Sequence, residues 1–313
     1  MKTLNEVTVL LSSGKKKDRL RGAVFSPGED TLLALKAAAA LLPVEFRVYG
    51  GGAAVDTIES LLGDTCYEFV RTDDPVRELS QCLCGEKPGG ETPFHFVVRG
   101  DLLSLEDTHR AISLAGSGEN VSDLSQVAVL DATSLGRILV VSDGFVNPRP
   151  DIRTRLAIIR NGLRVCRALG MSYPRVALLA AVEQVYPGMS VTVESAEIAK
   201  LAGAGEITGA DVDGPLSFDV ALVEQVAREK GATGKVAGKA ELLVASSIEV
   251  ANGIYMAQTV LARANAASVV VGGKAPLALP FPSDCIDNII FSICLACLLS
   301  SDDLPERSPV STR

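Results

Sequence analysis

Short runs rich in β-branched residues alternate along this chain with longer helical patterns, and that alternation predicts an α/β fold with a mostly parallel sheet. The strand candidates are FHFVVRG at 94–100, RILVVSDG at 137–144, RVALLAAVE at 175–183, ELLVASS at 241–247 and SVVVGG at 268–273. Several end in Gly, Asp or Ser. In open α/β sheets ligands bind beyond the carboxyl ends of the strands, so those polar ends are where chemistry is expected. Helical patterns cover 29–42, 151–170, 192–202, 217–230, 252–264 and 285–300. CGEKPGGETP at 84–93 is read as a loop from its Gly and Pro content, and the polar tail from Ser300 to Arg313 as frayed.

With 313 residues, 47% of them hydrophobic, the chain has enough apolar material for about two domains at roughly 150 residues each. Thirty basic against thirty-eight acidic side chains leave a net charge of -8, and aromatics make up 4%. That balance argues against nucleic acid as a partner. The one basic run, Lys15-Lys16-Lys17 with Arg19 and Arg21, is read as a solvated segment rather than a membrane contact. The first residues, MKTLNEVTVLLSS, lack a secretory pattern, and the apolar stretch Ile289–Leu299 falls short of the roughly 18 residues a span requires. A cytoplasmic location is expected. Seven scattered cysteines suit free thiols in a reducing compartment, and the Cys294/Cys297 pair sits inside an apolar helical pattern that favours core over metal. Only His95 and His109 are present, so no histidine-rich metal site can form.

Three segments could carry chemistry. SDGFVNPRPD at 142–151 runs from a strand end into a helix, with Asp151 as its cap and Asp143 and Asn147 left as polar groups. DVDGPLSFD at 211–219 is read as a turn at Gly214-Pro215 flanked by Asp213 and Asp219, either an acid/base pair or metal ligands, or equally turn and helix-start acids. VVVGGKAP at 269–276 places Gly272, Gly273 and Lys274 after a buried strand, where backbone N–H groups and a cation can meet an anion. A plain strand-exit turn accounts for it equally. It lacks Walker spacing, and Gly50-Gly51-Gly52 lacks the GxGxxG spacing of dinucleotide sites.

Taken in order, LSQVAVLDA at 124–132, RILVVSDGFVNPRPD, YPRVALLAAVE, DGPLSFD at 213–219, AELLVASSIEVANGIY at 240–255 and VVVGGKAP resemble the phosphate acetyltransferase and phosphate butyryltransferase family, nearest its butyryl branch. The resemblance runs from about Phe94 to Leu299. It implies two α/β domains of the isocitrate/isopropylmalate dehydrogenase-like type around a cleft. The first would comprise 1–138 plus 278–313 and the second 139–277. It also implies acyl transfer between coenzyme A, a substrate, and inorganic phosphate, with no metal or nicotinamide cofactor. A decarboxylating dehydrogenase on a related fold fits less well, because its trio of metal-binding acids and its nucleotide loop are missing.

The sequence departs from the family at one place of consequence. Where the family carries a Ser-Arg pair, this chain reads LALPFPSDCIDN, so the pair falls on Phe281 and Pro282. Neither side chain donates a hydrogen bond, and a proline has no backbone donor either. The resemblance places the downstream acid at Asp287, with Ser283 and Asp284 as substitutes after a local shift. Arg99, Asn147, Asp213, Asp219, Glu249, Asn252, Gly272, Gly273 and Lys274 are the expected substrate-binding residues. The departure supports a second reading, a family member that has lost transfer and serves as a CoA- or acyl-phosphate-binding regulatory subunit. The helix at 285–300 is expected to bury Ile289, Ile290, Ile293, Cys294, Cys297 and Leu298, and the breadth of that stripe predicts a homodimer.

Overall fold

The computed structural model describes residues 3–13, 19–52, 55–63, 65–86, 88, 93–117 and 123–300. The lysine run, parts of 84–93 and 115–123, and the tail beyond Ser300 therefore lie outside the described residues in whole or in part. The elements in chain order are α1 (Leu4–Ser13), β1 (Leu20–Phe25), α2 (Glu29–Leu41), β2 (Val44–Gly50), α3 (Val55–Leu62), β3 (Tyr67–Arg71), α4 (Pro75–Leu83), β4 (Phe96–Arg99) and α5 (Leu105–Gly116). They continue as β5 (Ser125–Ala132), β6 (Arg137–Ser142), α6 (Ile152–Ala168), β7 (Arg175–Leu179), α7 (Ser190–Leu201), β8 (Asp211–Leu216), α8 (Phe218–Leu222) and α9 (Glu224–Glu229). The last are β9 (Leu242–Val244), α10 (Ile248–Met256), β10 (Ala266–Val271), β11 (Leu277–Ala278) and α11 (Ile286–Leu299).

All eleven strands join one sheet in the order β3-β2-β1-β4-β11-β10-β5-β6-β9-β7-β8. β3, β2, β1, β4 and β11 run parallel to one another, as do β6, β9, β7 and β8. Between the two blocks, β11–β10, β10–β5 and β5–β6 are each antiparallel, so the blocks run in opposite directions. Alternate strand residues divide into two cores. Val24, Phe96, Val98, Val127, Val129 and Val140 face the layer of α2, α6 and α11, while Phe25, Val97, Ala128, Leu130, Val141 and Leu277 face the other side. This period-2 division is what a sheet covered on both faces requires.

Asp151 caps α6 as the sequence predicts, accepting from the Thr154 N–H at 2.8 Å. Two readings need correction. Gly214-Pro215 is not a turn but lies inside β8, at the edge of the sheet, where a residue without an N–H leaves no ladder bond broken. The pattern at 217–230 divides into α8 and α9 at Val223, whose backbone is extended. α11 is buried on nearly every side, with Phe291, Ser292, Leu295, Ala296 and Leu299 enclosed as well as Ile289, Ile293, Cys294 and Cys297, while Ile290 and Leu298 are partly buried. α1, α2 and β10 pack around it, so its apolar breadth is used within the chain. Burial pushes the Cys294 thiol up to about 12, as befits a core side chain.

Candidate active site

The loop between β11 and α11 is organised around Asp284. Its carboxylate accepts from the Phe281 N–H at 2.8 Å and from the Tyr255 hydroxyl, which lies 2.9 and 2.8 Å from the two oxygens. Asn288 Nδ2 stands 3.5 Å away, and the Asp284 N–H donates to the Phe281 carbonyl at 2.9 Å, closing the turn. Beneath this turn lies Arg99, at the carboxyl end of β4 and 3% exposed. Its Nη1 donates to the Pro280 carbonyl at 2.8 Å and its Nη2 to the Leu103 carbonyl at 2.5 Å, while Nε is buried without a partner.

Burial is the largest influence on all three groups. It raises the Asp284 carboxyl above the ordinary carboxylate range, against the pull of the Phe281 N–H, the Tyr255 hydroxyl, Asn288 and the Arg99 charge. It raises the Tyr255 phenol, which the adjacent carboxylate then pushes further. It lowers Arg99, which Asp101 and Asp284 partly restore. A proton-accepting carboxyl tuned upward, beside a phenol and over a buried cation, can exchange a proton with a substrate atom.

The same turn is walled by rings. Phe281 is 4% exposed, with its ring 5.0 Å from Tyr255 and 6.0 Å from Phe145, and Phe145 in turn meets His109 at 5.9 Å. Phe281 thus fills core space where the resemblance places a serine. Pro282 and Ser283 are exposed, and the Ser283 hydroxyl lies 3.5 Å from the Met256 sulfur. Asp287 is exposed in the first turn of α11.

Phe145 belongs to a second structure, the loop after β6. Asp143 is 2% exposed and accepts from the backbone N–H groups of Gln126, Phe145, Val146 and Asn147 at 3.2, 2.9, 2.9 and 3.1 Å, and from Asn147 Nδ2 at 2.7 Å. Burial raises its carboxyl and those bonds oppose the rise. Asn147 also donates to the Leu124 carbonyl at 2.9 Å, so its amide fixes the loop. A Cβ on Gly144 would come within 3.2 Å of the Asn252 backbone nitrogen, which shows how closely α10 approaches. α10 therefore borders both loops, with Asn252 at one and Tyr255 at the other. Glu249, on its first turn, is exposed and held below the ordinary range, chiefly by the Ser247 hydroxyl.

Two further groups lie apart. At the carboxyl ends of β7 and β8, the Ser217 hydroxyl bonds Glu183 and, at 2.5 Å, Asp219, and Lys230 Nζ stands 3.4 Å from Glu183 and 3.2 Å from Asp219. These contacts hold the Asp219 carboxyl down to about 2, the Ser217 hydroxyl contributing most. Asp213 accepts from the Gly214 N–H at 2.8 Å. Gly272, Gly273 and Lys274 follow β10, which runs opposite to β11 and β4, so they sit at the other end of the sheet from Arg99. Gly272 has a φ of 104°, and a Cβ there would meet the Asp123 carbonyl; the Lys274 N–H donates to the Leu83 carbonyl at 2.9 Å. The glycine is needed by the backbone itself. The expected substrate-binding residues thus occupy separate groups. Arg99, Asn147 and Asn252 border the β11–α11 loop and its neighbour, beside the expected catalytic Ser283 and Asp284, whereas no hydrogen bond or ion pair joins Asp213, Asp219 or Gly272–Lys274 directly to them.

The sequence pattern does not single out Tyr255, Gln126, Glu183 or Lys230. Tyr255 ends the quoted stretch AELLVASSIEVANGIY, but nothing local marks it, since its partner lies 29 residues on. Among the described residues, no three His, Cys, Asp or Glu side chains group in a way that could hold a metal ion.

A family model described as "Phosphate acetyl/butaryl transferase" matches residues 95–297. A "Probable phosphate butyryltransferase" of Bacillus subtilis (strain 168) is 30% identical over 293 residues, covering 91% of this chain and 95% of that protein. A phosphate acetyltransferase of Thermotoga maritima is 34% identical over 231 residues, covering 73% and 77%. Among solved structures, a branched-chain phosphotransacylase from Enterococcus faecalis V583 superposes with a TM-score of 0.72 at 26% identity, over 90% of this chain and 99% of that one.

Proposed function

The chain belongs to the phosphate acetyl/butyryl transferase family, and from that membership we propose that it transfers a short acyl group between coenzyme A and inorganic phosphate. A phosphate oxygen attacks the thioester carbonyl, the C–S bond breaks, and the departing thiolate takes up a proton. In the reverse direction the CoA thiol gives that proton up. Asp284 is the group assigned to hold it, in preference to the exposed Asp287. The observation that carries this reading is the Asp284 carboxyl, raised by burial and fixed by Tyr255 and the Phe281 N–H above the Arg99 charge. A general acid or base works best when its pKa approaches the operating pH, and burial moves Asp284 that way.

Arg99 contributes its charge from below and holds the loop through the Pro280 carbonyl, with Nε as its unspent donor. Asn252, Ser283 and the loop at 143–147 border the acyl and phosphate path. Gly272, Gly273 and Lys274, or Asp213, Asp219 and Glu249, would touch the longer CoA substrate rather than the reacting atoms. The reaction needs no metal or nicotinamide. The opposed strand blocks support two α/β halves of the isocitrate/isopropylmalate dehydrogenase-like type, proposed as 1–138 plus 278–313 and 139–277, with β10 of the second range paired to β5 of the first and to β11 at the boundary. A cytoplasmic location without nucleic acid or membrane completes the reading, while the homodimer expected from α11 loses its support because that helix is packed within the chain.

Incubation with acetyl-, butyryl- and isobutyryl-CoA plus phosphate, followed by free thiol release, tests it. Phosphate-dependent release with at least one of them is expected. Binding of CoA without any turnover would instead favour the regulatory-subunit reading, for which Phe281 and Pro282 in place of the family's Ser-Arg pair are the supporting observation.

A further inference from the structure

At the amino-terminal ends of β6, β7 and β9, far along the chain from the Asp284 loop, a cavity of about 360 Å³ is lined by Arg137, Ile138, Gly170, Met171, Ser172, Tyr173 and Glu241. Its charges are unequally matched. Both Glu241 oxygens are committed to Arg175: Oε2 accepts from the Arg175 backbone N–H at 3.1 Å and from Nε at 3.2 Å, and Oε1 pairs with Nη2 at 3.1 Å. Arg137 has no carboxylate in direct ion-pair contact. Its Nη2 donates to the Ala240 carbonyl at 3.1 Å, and its Nε is buried with no hydrogen-bond partner. Burial, first, and the neighbouring Arg175 work against its charge, while Glu241 and Glu224 support it from farther off. An arginine cannot shed its proton at any ordinary pH, so an anion in direct contact would add the close partner that Glu241 and Glu224 do not provide.

The other walls define what accompanies that anion. Ile138 is buried and Met171 partly so, while Tyr173 is 57% exposed and offers a ring at the mouth. The end of α6 does not fill the cavity with unpaired carbonyls, because the Gly170 N–H returns to the Arg167 carbonyl at 2.9 Å and the Met171 N–H to the Cys166 carbonyl at 2.9 Å. A planar guanidinium beside aliphatic and aromatic walls matches a carboxylate carried on a small apolar body, the oxygens meeting the Nη edge away from the buried Nε while the body covers Met171 and the Tyr173 ring. We propose that this cavity binds a small apolar monocarboxylate at a site separate from acyl transfer. The proposal does not depend on the acyltransferase reading.

The chain contains four methionines, which makes methyl NMR a direct test. Met171 lines the cavity, and Met256 reports on the Asp284 loop through Ser283. In protein labelled at the methionine methyls, with Met171 identified by Met171→Leu, benzoate is titrated as the probe. The Met171 signal should shift along a saturating curve while Met256 stays put. Arg137→Leu should weaken binding by about tenfold or more, the scale of a lost charge-assisted hydrogen bond. Tyr173→Ala, at a position 57% exposed, should weaken it less and serves if Arg137→Leu fails to fold. Inorganic phosphate, which has no apolar body, should move Met171 more weakly. A Met171 signal that does not respond, that responds as strongly in the Arg137 and Tyr173 variants, or that moves only together with Met256, would overturn the proposal. Phosphate matching benzoate would overturn the assignment of an apolar carboxylate.

Discussion

Asp284 and Asp219 are both acids placed where a strand gives way to a helix, each within reach of a hydroxyl, yet their carboxyls are driven in opposite directions. Asp284 is enclosed by Tyr255, Phe281 and Asn288, and burial, the strongest influence, raises it. Asp219 is exposed between Ser217 and Lys230, and hydrogen bonds to its charged form bring it to about 2. The same side chain is thus held toward its protonated form in one region and toward its charged form in the other. Proximity of polar partners does not decide which; enclosure does.

The largest effect that could break this contrast is on catalysis. Asp284→Asn keeps the shape and removes the titrating group, and acyl transfer should fall by about 10²–10⁴-fold, the usual contribution of general acid–base catalysis. Asp287→Asn and Asp219→Asn should leave kcat within about tenfold of the parent, below that catalytic range. Steady-state kinetics on the three variants would show a reversed order if the exposed acids carried the chemistry.

Next comes packing. Phe281→Ala removes a ring held between Tyr255 and Phe145 and should lower stability by about 3–5 kcal/mol in urea unfolding. A change below about 1 kcal/mol, less than such core truncations cost, would mean that the ring is not part of the core. By the same token, restoring the family's pair with Phe281→Ser and Pro282→Arg would excavate the wall behind Asp284 before it could add activity.

The pH dependence of stability separates the two acids more finely. A carboxyl raised on folding binds more protons in the native state, so Asp284 makes stability fall as pH rises from the ordinary carboxylate range through its raised folded value. Asp219, lowered from 3.8 to about 2, acts in the opposite sense. Its contribution is present above 3.8 and is lost as pH falls toward 2. Asp219→Asn should therefore flatten the acid limb of the stability curve, and Asp284→Asn the limb above it. Smallest of all, Lys230→Ala removes one exposed cation from that cluster. Its effect should be slight and should vanish in high salt.

How much of this was legible beforehand follows from the range of each interaction. The strands of the second half, the α6 cap at Asp151 and the enclosed α11 follow from local pattern, because alternation and apolar stripes are written within one element. β8 reads as a turn in the sequence because Gly-Pro normally marks one, and only its position at a sheet edge permits it in a strand. Gly272 and Gly273 suggest an anion loop, but the close approach of the Asp123 carbonyl accounts for the first of them. Tyr255 could not be foreseen, since a phenol finds its carboxylate only after α10 and the β11–α11 loop have been brought together by the fold. Arg99 was found, but its two carbonyl partners, one of them 181 residues away, give it a holding role that sequence could not express.

The central claim is that Asp284 exchanges the thiol proton. It is tested most directly in the direction that consumes thiol, by following kcat/KM for butyryl phosphate and CoA against pH in the parent and in Asp284→Asn. The parent should show a rate that climbs as a carboxyl titrating above the ordinary range becomes ionised, and the variant should lose both that step and about 10²–10⁴-fold of the rate. An unchanged profile in the variant, or a parent that consumes no thiol while still binding CoA, would contradict it.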